Sequence, residues 1–506
     1  MNPVGGLKKE RLLDVRWPHL PLMALLWAIR PDSVFALGLD IYPEDPLKTH
    51  DAVSVTPGRA VSQATHDPCQ ESGHPPSAWA LVDVIEHALC HNPQTREAWA
   101  NARQQASQLG MAESAYLPSL NFSLPVSRSQ NTAGGGISSG VPVNNGGGIK
   151  SQYTRIVPTL SVNYLLLDFG GRAARVEVAR QALEAANWTH AKVIQDVLFM
   201  AIQAYYQLFA AKASEAAAEQ TEHFTRKAFE AAKARYDIGS AALSDKLQAQ
   251  TTHAQAKVNL RTAIGNARSA VGSLATVMGL KPHDSMVFEE PILVGPNEER
   301  EKNVEDLIQL AKESRPDLAA LEAQVKGSEA NVLSAQSQSL PTLSMVGNYA
   351  YLDSVETRAI SSWAVGVQVS VPLFTGFNNT YQIKSAEEQV EYQAANRDQL
   401  EQAIVQSVWQ SYYTLAATRD NLKNTEDLRD SALKAEQAAL GRYEEGVGNI
   451  AELMNAETNL ANARYQYIQA HYNWRIGKAQ LAQALGRLDV DDVEAVEGGQ
   501  QNRLSQ

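Results

Sequence analysis

Apolar and polar residues alternate in two rhythms along this chain, and the pair of rhythms occurs twice. From Arg172 to Ile238, and again from Phe377 to Leu440, there is neither glycine nor proline. At about 1.5 Å rise per residue, each run predicts a helix on the order of 100 Å long, far beyond the about three turns of an ordinary globular helix. Each rod ends at a similar break, Arg235-Tyr236-Asp237-Ile238-Gly239 and Arg442-Tyr443-Glu444-Glu445-Gly446. The chain then returns as another helix, from Ser244 to Gly279 and from Ala451 to Gly486. In the second return helix Leu453, Ala456, Leu460, Ala463, Tyr467, Ala470 and Trp474 are spaced alternately by three and four, a coiled-coil seam. Lys246, Ala249, His253, Ala256, Leu260 and Ala263 hold the matching places in the first. Alanine at so many seam positions lets helix axes approach closely and leaves other faces for other neighbours, so a ring of helices is expected instead of a filled bundle.

Before each rod the rhythm has period two. After Pro118, Leu120, Phe122, Leu124 and Val126 alternate with Asn121, Ser123, Pro125 and Ser127. A glycine-packed linker runs from Thr132 to Ile149, and Ile156, Pro158, Leu160, Val162, Tyr164 and Leu166 then alternate again. In the second half Leu343 and Met345, Tyr349 and Tyr351, a polar loop, and Trp363, Val365, Val367, Val369 and Val371 repeat the pattern. These are four strands, each long enough at about ten residues to cross a bilayer when tilted. One face is apolar and the other small or polar, as a membrane barrel wall requires. A half-buried soluble sheet alternates in the same way; long loops between strands and an export-type N-terminus favour the membrane. Four strands cannot close a barrel, and unpaired edges in lipid cost several kcal/mol per unsatisfied group. Several copies must therefore share one barrel.

The duplication extends to the ends of each half. A helical pattern from Trp79 to Tyr116, with Leu81, Val84, Ile85 and Leu89 on one face, breaks at Asn92-Pro93. Its counterpart runs from Val304 to about Ser337 and breaks at Arg315-Pro316. Pro93 and Pro118 recur as Pro316 and Pro341 at one offset; Tyr236, Gly239 and Gly279 recur as Tyr443, Gly446 and Gly486 at a shorter one. The difference is taken up between the strands. The resulting division is an export signal over 1–36, an N-terminal extension over 37–78, and first-half helices over 79–117. Strands with their loop follow over 118–168, a long hairpin over 169–280 and a linker over 281–303. The second half has helices over 304–339, strands over 340–374 and a hairpin over 375–487, before a flexible tail over 488–506.

Composition changes this picture only at its margins. A net charge of −12 over 506 residues argues against a nucleic-acid partner. Lys8, Lys9, Arg11 and Arg16 lead into the apolar run Leu20 to Ile29, and Val34-Phe35-Ala36 resembles a cleavage site, the layout of an export signal. Gly38 to His66 is poorly patterned and reads as a mobile tail. Lys281 to Asn303, with Pro282, Pro291 and Pro296, reads as a surface girdle or linker. There are two cysteines, Cys69 and Cys90. Export makes a bridge between them the expectation; the alternative is a small buried hydrophobe at Cys90 and a free thiol at Cys69. His87, His91, His190, His223 and His253 lack metal-ligand spacing, and there is no phosphate loop or nucleophile elbow. An enzyme, a metal and a cofactor are therefore not expected. A structural coiled-coil envelope protein would account for rods, but not for paired strands set between them in both halves.

From about Leu81 to Gly486 the chain resembles the TolC-type outer-membrane factors of Gram-negative bacteria. The resemblance rests on the strand starts Tyr116-Leu117-Pro118-Ser119-Leu120 and Leu340-Pro341-Thr342-Leu343, and on the Phe169-Gly170 and Phe374-Thr375-Gly376 turns that open the rods. It also rests on the Gly239 and Gly446 hairpin tips. Ala88-Leu89-Cys90-His91-Asn92-Pro93-Gln94-Thr95-Arg96 looks most like the type I secretion branch, the cyclolysin-secretion type. The resemblance implies a mainly helical fold with a β membrane segment, in a homotrimer. Its shared β-barrel sits in the outer membrane, and a helical tunnel runs from it through the periplasm. It also implies a periplasmic adaptor and an inner-membrane ABC or other transporter as partners, and passive conduction of a secreted protein, with drug or metal efflux as the alternative. The closed end would be the second tip. Tyr443 matches a tyrosine that holds it shut, Glu452 an acidic residue ringing the entrance, and Asn455 the place of a second acid. Gly448 stands where an arginine is expected. The resemblance further implies adaptor contacts at Gly239, Ser240, Ala241 and Leu243 of the first tip, and at Gly446, Val447, Gly448 and Ile450 of the second.

Overall fold

A computed structural model describes residues 45–53, 78–133, 149–282, 286–291, 303–354 and 357–488. The export signal, the glycine-packed stretch 134–148, Cys69 with its expected bridge to Cys90, most of the 281–303 linker and the tail after Leu488 lie outside the described residues. The described residues from Thr49 onward form one contact unit, and the description below concerns that unit.

The helices are α1 (Leu81–His91), α2 (Pro93–Glu113), α3 (Gly171–Asp237), α4 (Leu243–Val277), α5 (Val304–Ser314), α6 (Pro316–Ser337), α7 (Asn378–Glu444) and α8 (Ile450–Ala484). The two rods have the same length, 67 residues, and the two return helices are 35 residues each. The second rod runs through Gly441, one turn beyond the glycine-free stretch, and stops at the same place in the repeat as the first. α4 packs along the tip-ward part of α3, while α2 and α6 pack on its other part; α8 packs on both α7 and α3.

Each half is fastened at mid-height by the X-Pro break. Asn92 caps α2 by accepting from the Gln94 amide at 2.9 Å, and its Nδ2 donates to the Val277 carbonyl at the end of α4 at 2.9 Å. Arg315 fastens the second half without a cap bond: it donates to the Ala484 carbonyl at the end of α8 at 3.1 Å and holds Asp317 at 2.9 Å. The residues that close the return helices, Gly279 (φ +74°) and Gly486 (φ +70°), are left-handed and lie against these breaks. A Cβ would come within 2.7 Å of the His91 carbonyl at the first and 2.9 Å of the Arg315 Cα at the second. Around this level sits the largest core, in which Leu81, Ile85 and Leu89 of α1 meet Leu198, Ile202, Tyr205 and Phe209 of α3 and Leu274 of α4.

Two expectations change here. The described part of the linker is not wholly on the surface. Phe288 is buried, bridges to Trp79, and is followed by Glu289, whose carbonyl accepts from the Tyr205 hydroxyl at 2.6 Å. The Gly38–His66 stretch is not wholly a mobile tail either. Thr49–Ala52 forms a 3-10 turn with Thr49 buried, and Ala52 accepts from Asn187 of α3 at 3.0 Å. A turn this short has no periodicity by which the sequence could announce it.

The sheet is one antiparallel meander. β1 (Ser119–Ser123) and β2 (Val126–Ala133) form one long strand interrupted at Pro125; β3 (Ile149–Ile156) and β4 (Thr159–Leu167) form a second, interrupted at Pro158. β5 (Thr342–Ser354) pairs with β4 and the end of β3 on one side and with β6 (Thr357–Ser370) on the other. Proline has no amide to give, yet the ladder continues through both breaks, since Pro125 and Pro158 accept from Val157 and Tyr351 at 3.1 and 3.0 Å. The register puts Leu120 and Phe122 beside Val162 and Leu160, those beside Gly347 and Tyr349, and these beside Val365 and Trp363. Over this stretch one face is thus apolar, while β2 and β3 beyond the prolines carry Arg128, Gln130, Gln152 and Thr154. The opposite face carries Asn121, Ser161, Asn348 and Ala364. The apolar face is uncovered, with Trp363 77% exposed and Val365, Val367 and Val369 alongside. Within the described chain β1–β2 and β6 are the outer strands of this sheet.

Candidate functional site

The strand-to-rod turns are built from paired left-handed residues, Phe169 and Gly170 in one half and Gly376 and Phe377 in the other. In the first, the Asp168 carboxylate accepts from the Arg172 amide at 2.6 Å, and the Arg172 guanidinium donates to the Leu165 and Leu166 carbonyls at 2.7 and 3.1 Å. Phe169, Phe374 and Phe377 are exposed at these two turns, at the helix end of the sheet.

At the far end the two hairpins meet. In hairpin 1 (α3–α4) the Lys246 ammonium lies 4.7 Å over the Tyr236 ring, tying α4 to α3. In hairpin 2 (α7–α8) Arg442 pairs with Glu452 at 2.7 Å. Asn449 caps α8 by accepting from the Glu452 amide at 2.8 Å, so Glu452 sits in the first turn, where the helix dipole favours it. Between the hairpins the Arg235 guanidinium lies 4.6 Å over the Tyr443 ring. The sequence reading picked out Tyr443 and Glu452; it missed Arg235 and Arg442, which are their partners. The signal was there, an arginine before each tip tyrosine, but only in three dimensions does one reach across hairpins and the other across a turn.

Of the other named positions, Asn455 does not join this network. It is exposed along a groove between α7 and α8, where Glu452, Asn459, Asn462 and Ser431 stand among alanines. Gly448 is closely packed: a Cβ there would come within 3.0 Å of the Tyr443 amide nitrogen and 3.1 Å of the Arg442 carbonyl carbon. Its own amide donates to Arg442 at 2.8 Å. An arginine at this place would meet the backbone it folds against. Gly239, Ser240, Leu243, Gly446 and Val447 are exposed and Ala241 is half-buried. Ile450 is different, being 2% exposed in the tip core with Leu453 and Met454. It offers no surface to a partner from this position, because the first residue of α8 turns its side chain toward α3 and α7. Among the described residues no group of three or more His, Cys, Asp or Glu side chains is placed to hold a metal. Nor is any described helix long and apolar enough to cross a membrane.

A sheet with an uncovered apolar face, set on paired rods that close at the far end, defines the class: the protomer of an outer-membrane channel that extends into the periplasm. The family model described as outer membrane efflux protein matches residues 84–280 and 307–487, and the chain belongs to that family. This is a family of channels, not of enzymes. Protein CyaE of Bordetella pertussis is 28% identical, with 95% of this chain and 98% of that protein covered. Outer membrane protein TolC of Escherichia coli is 21% identical over 82% of this chain and 84% of its own. The Campylobacter jejuni CmeC outer membrane channel matches with a TM-score of 0.69 over 82% of this chain and 89% of its own, at 17% identity.

Proposed function

We propose that three copies of this chain form the exit duct of a tripartite export system, passing substrate from an inner-membrane transporter and a periplasmic adaptor across the outer membrane. One observation carries the reading. The meander has an apolar face suited to lipid but ends on two outer strands, and open sheet edges are not tolerated in hydrocarbon. Joining β6 of one copy to β1–β2 of the next removes every edge. The exposed phenylalanines of the turns then mark the inner bilayer interface, where aromatic girdles belong.

The tip contacts are the closing device in this reading. Arg235–Tyr443 ties the two hairpins of one copy, and Arg442–Glu452 keeps the second tip folded. Glu452 contributes the charge at the entrance, and Asn455, Asn459 and Asn462 continue it as an uncharged amide surface. The exposed tip residues Gly239, Ser240, Leu243, Gly446 and Val447 are the adaptor contacts. The cargo is a protein secreted by a type I system, a reading supported by the Ala88–Arg96 run and by the near full-length match to Protein CyaE. Deleting the gene and comparing the culture supernatant with drug susceptibility tests this. Loss of a secreted protein with unchanged drug susceptibility is expected, and the converse contradicts it.

A further inference from the structure

A buried acidic pair lies in the seam where hairpin 2 packs on hairpin 1, about two turns above the tip. Glu457 of α8 is 3% exposed and Glu436 of α7 is 7% exposed. They lie at the same level of the antiparallel hairpin, and each is within the electric field of Arg464. α3 presents Thr221 and Thr225 to this level. The Thr225 hydroxyl is taken by the Thr221 carbonyl at 2.9 Å. The Thr221 Oγ and one Glu457 oxygen are both fully buried without a hydrogen-bond partner. The next ionisable groups on the neighbouring helices, Glu222 of α3 and His253 of α4, are bonded to one another at 3.0 Å. The internal repeat places Phe229 and Gln250 opposite these carboxylates in hairpin 1. The acidic pair is therefore a property of hairpin 2 alone.

Two carboxylates in one dry seam cannot both be charged at small cost. We propose that Glu457, beside the buried Glu436, holds a proton that latches α8 against α3 and α7, and that losing it loosens hairpin 2 from hairpin 1. The Thr221 hydroxyl can serve a Glu457 oxygen in either protonation state, so the two states differ by the cost of a second buried negative charge in the seam. Burial first, and then the Glu436 charge, push the Glu457 carboxyl up to about 7, against the pull of Arg464 and Thr221. Burial raises Glu436 as well.

The sign follows. A carboxyl whose folded pKa lies above its unfolded value of 4.5 holds its proton in the packed state. The latch is fully set below that value and weakens as pH rises toward about 7. At the steepest, opening gains about tenfold per pH unit, the slope for one proton. This inference goes beyond the channel reading and does not depend on it.

The test is backbone hydrogen exchange across Leu453–Ala463 in the purified full-length oligomer, corrected for intrinsic rates, at pH 5.5 and 7.5. Protection in the wild type is expected to fall by about tenfold or more. Glu457→Gln, which fixes the neutral form, is expected to keep its protection at the higher pH. Wild-type protection independent of pH overturns the proposal, as does a Glu457→Gln protein that loses protection like the wild type. Should that variant not fold, Glu436→Gln carries the test. Removing the neighbouring charge must move the midpoint of the loss to lower pH, and an unmoved midpoint overturns the proposal.

Discussion

Single side chains divide here into those that hold the fold and those that the proposed channel places at its entrance. The Arg442–Glu452 pair is more than a third exposed on both sides, so it contributes at most about 1 kcal/mol to stability. Glu452→Ala is therefore expected to leave heat-induced dissociation nearly unchanged while altering ion selectivity or conductance in planar bilayers. Unchanged selectivity and conductance would refute the assignment of Glu452 to the entrance. His471 is the opposite case. Burial, and then Arg475 beside it, pull its imidazole down to about 4 from 6.5, so the folded chain holds it neutral. Stability present above the ordinary value is lost as pH falls from 6.5 toward about 4. His471→Leu should flatten that acid limb, measured as melting temperature at pH 7 and pH 4.5; an equal drop in both proteins would refute the role. At this scale the sequence spoke least. Tyr443 and Glu452 could be singled out by resemblance. Arg235, Glu436 and Glu457 could not, because their meaning lies in which helix they face, and nothing local encodes that.

Elements were far more legible, for physical reasons. A run without glycine or proline has no cause to stop, so both rods end where the turn residues stand. Along the seven-residue seam of α8 Leu453, Leu460, Ala463 and Trp474 are buried and Ala456, Tyr467 and Ala470 half-buried, and Gly477, next in the same spacing, is buried against Leu415 and Thr418 of α7. What the pattern hid is a second buried stripe on the same helix, facing α3. It includes Glu457, His471 and Arg475, polar residues that a hydrophobic count reads as surface. The two end glycines are a direct test of the mid-height joint. Gly486→Ala and Gly279→Ala combine a left-handed backbone with a backbone collision, and each should cost about 1–3 kcal/mol. Urea-induced dissociation would show it, and wild-type midpoints in both would contradict the joint. On the sheet, face decides. Val367→Lys should lower stability by about 2–4 kcal/mol if that face meets lipid, whereas Gln368→Lys one residue on should be tolerated. Equal outcomes would mean that the apolar face is not against a bilayer.

For the whole molecule, duplication explains why one chain supplies two of everything, two rods, two return helices and two pairs of long strands. It also explains where the halves differ. The first tip closes on Lys246 over Tyr236, the second on Arg442 with Glu452, and only the second rests on a buried acidic pair. In the proposed latch, hairpin 2 is the half that would move and hairpin 1 the half it would move against. The central claim is that each copy makes only part of a wall that must be seamless in lipid. Native mass measurement of the purified protein in detergent, on the same sample shown to conduct ions in a planar bilayer, tests it most directly. The account predicts a particle of three chains that conducts. A single chain, or an assembly that passes no ions, would contradict it.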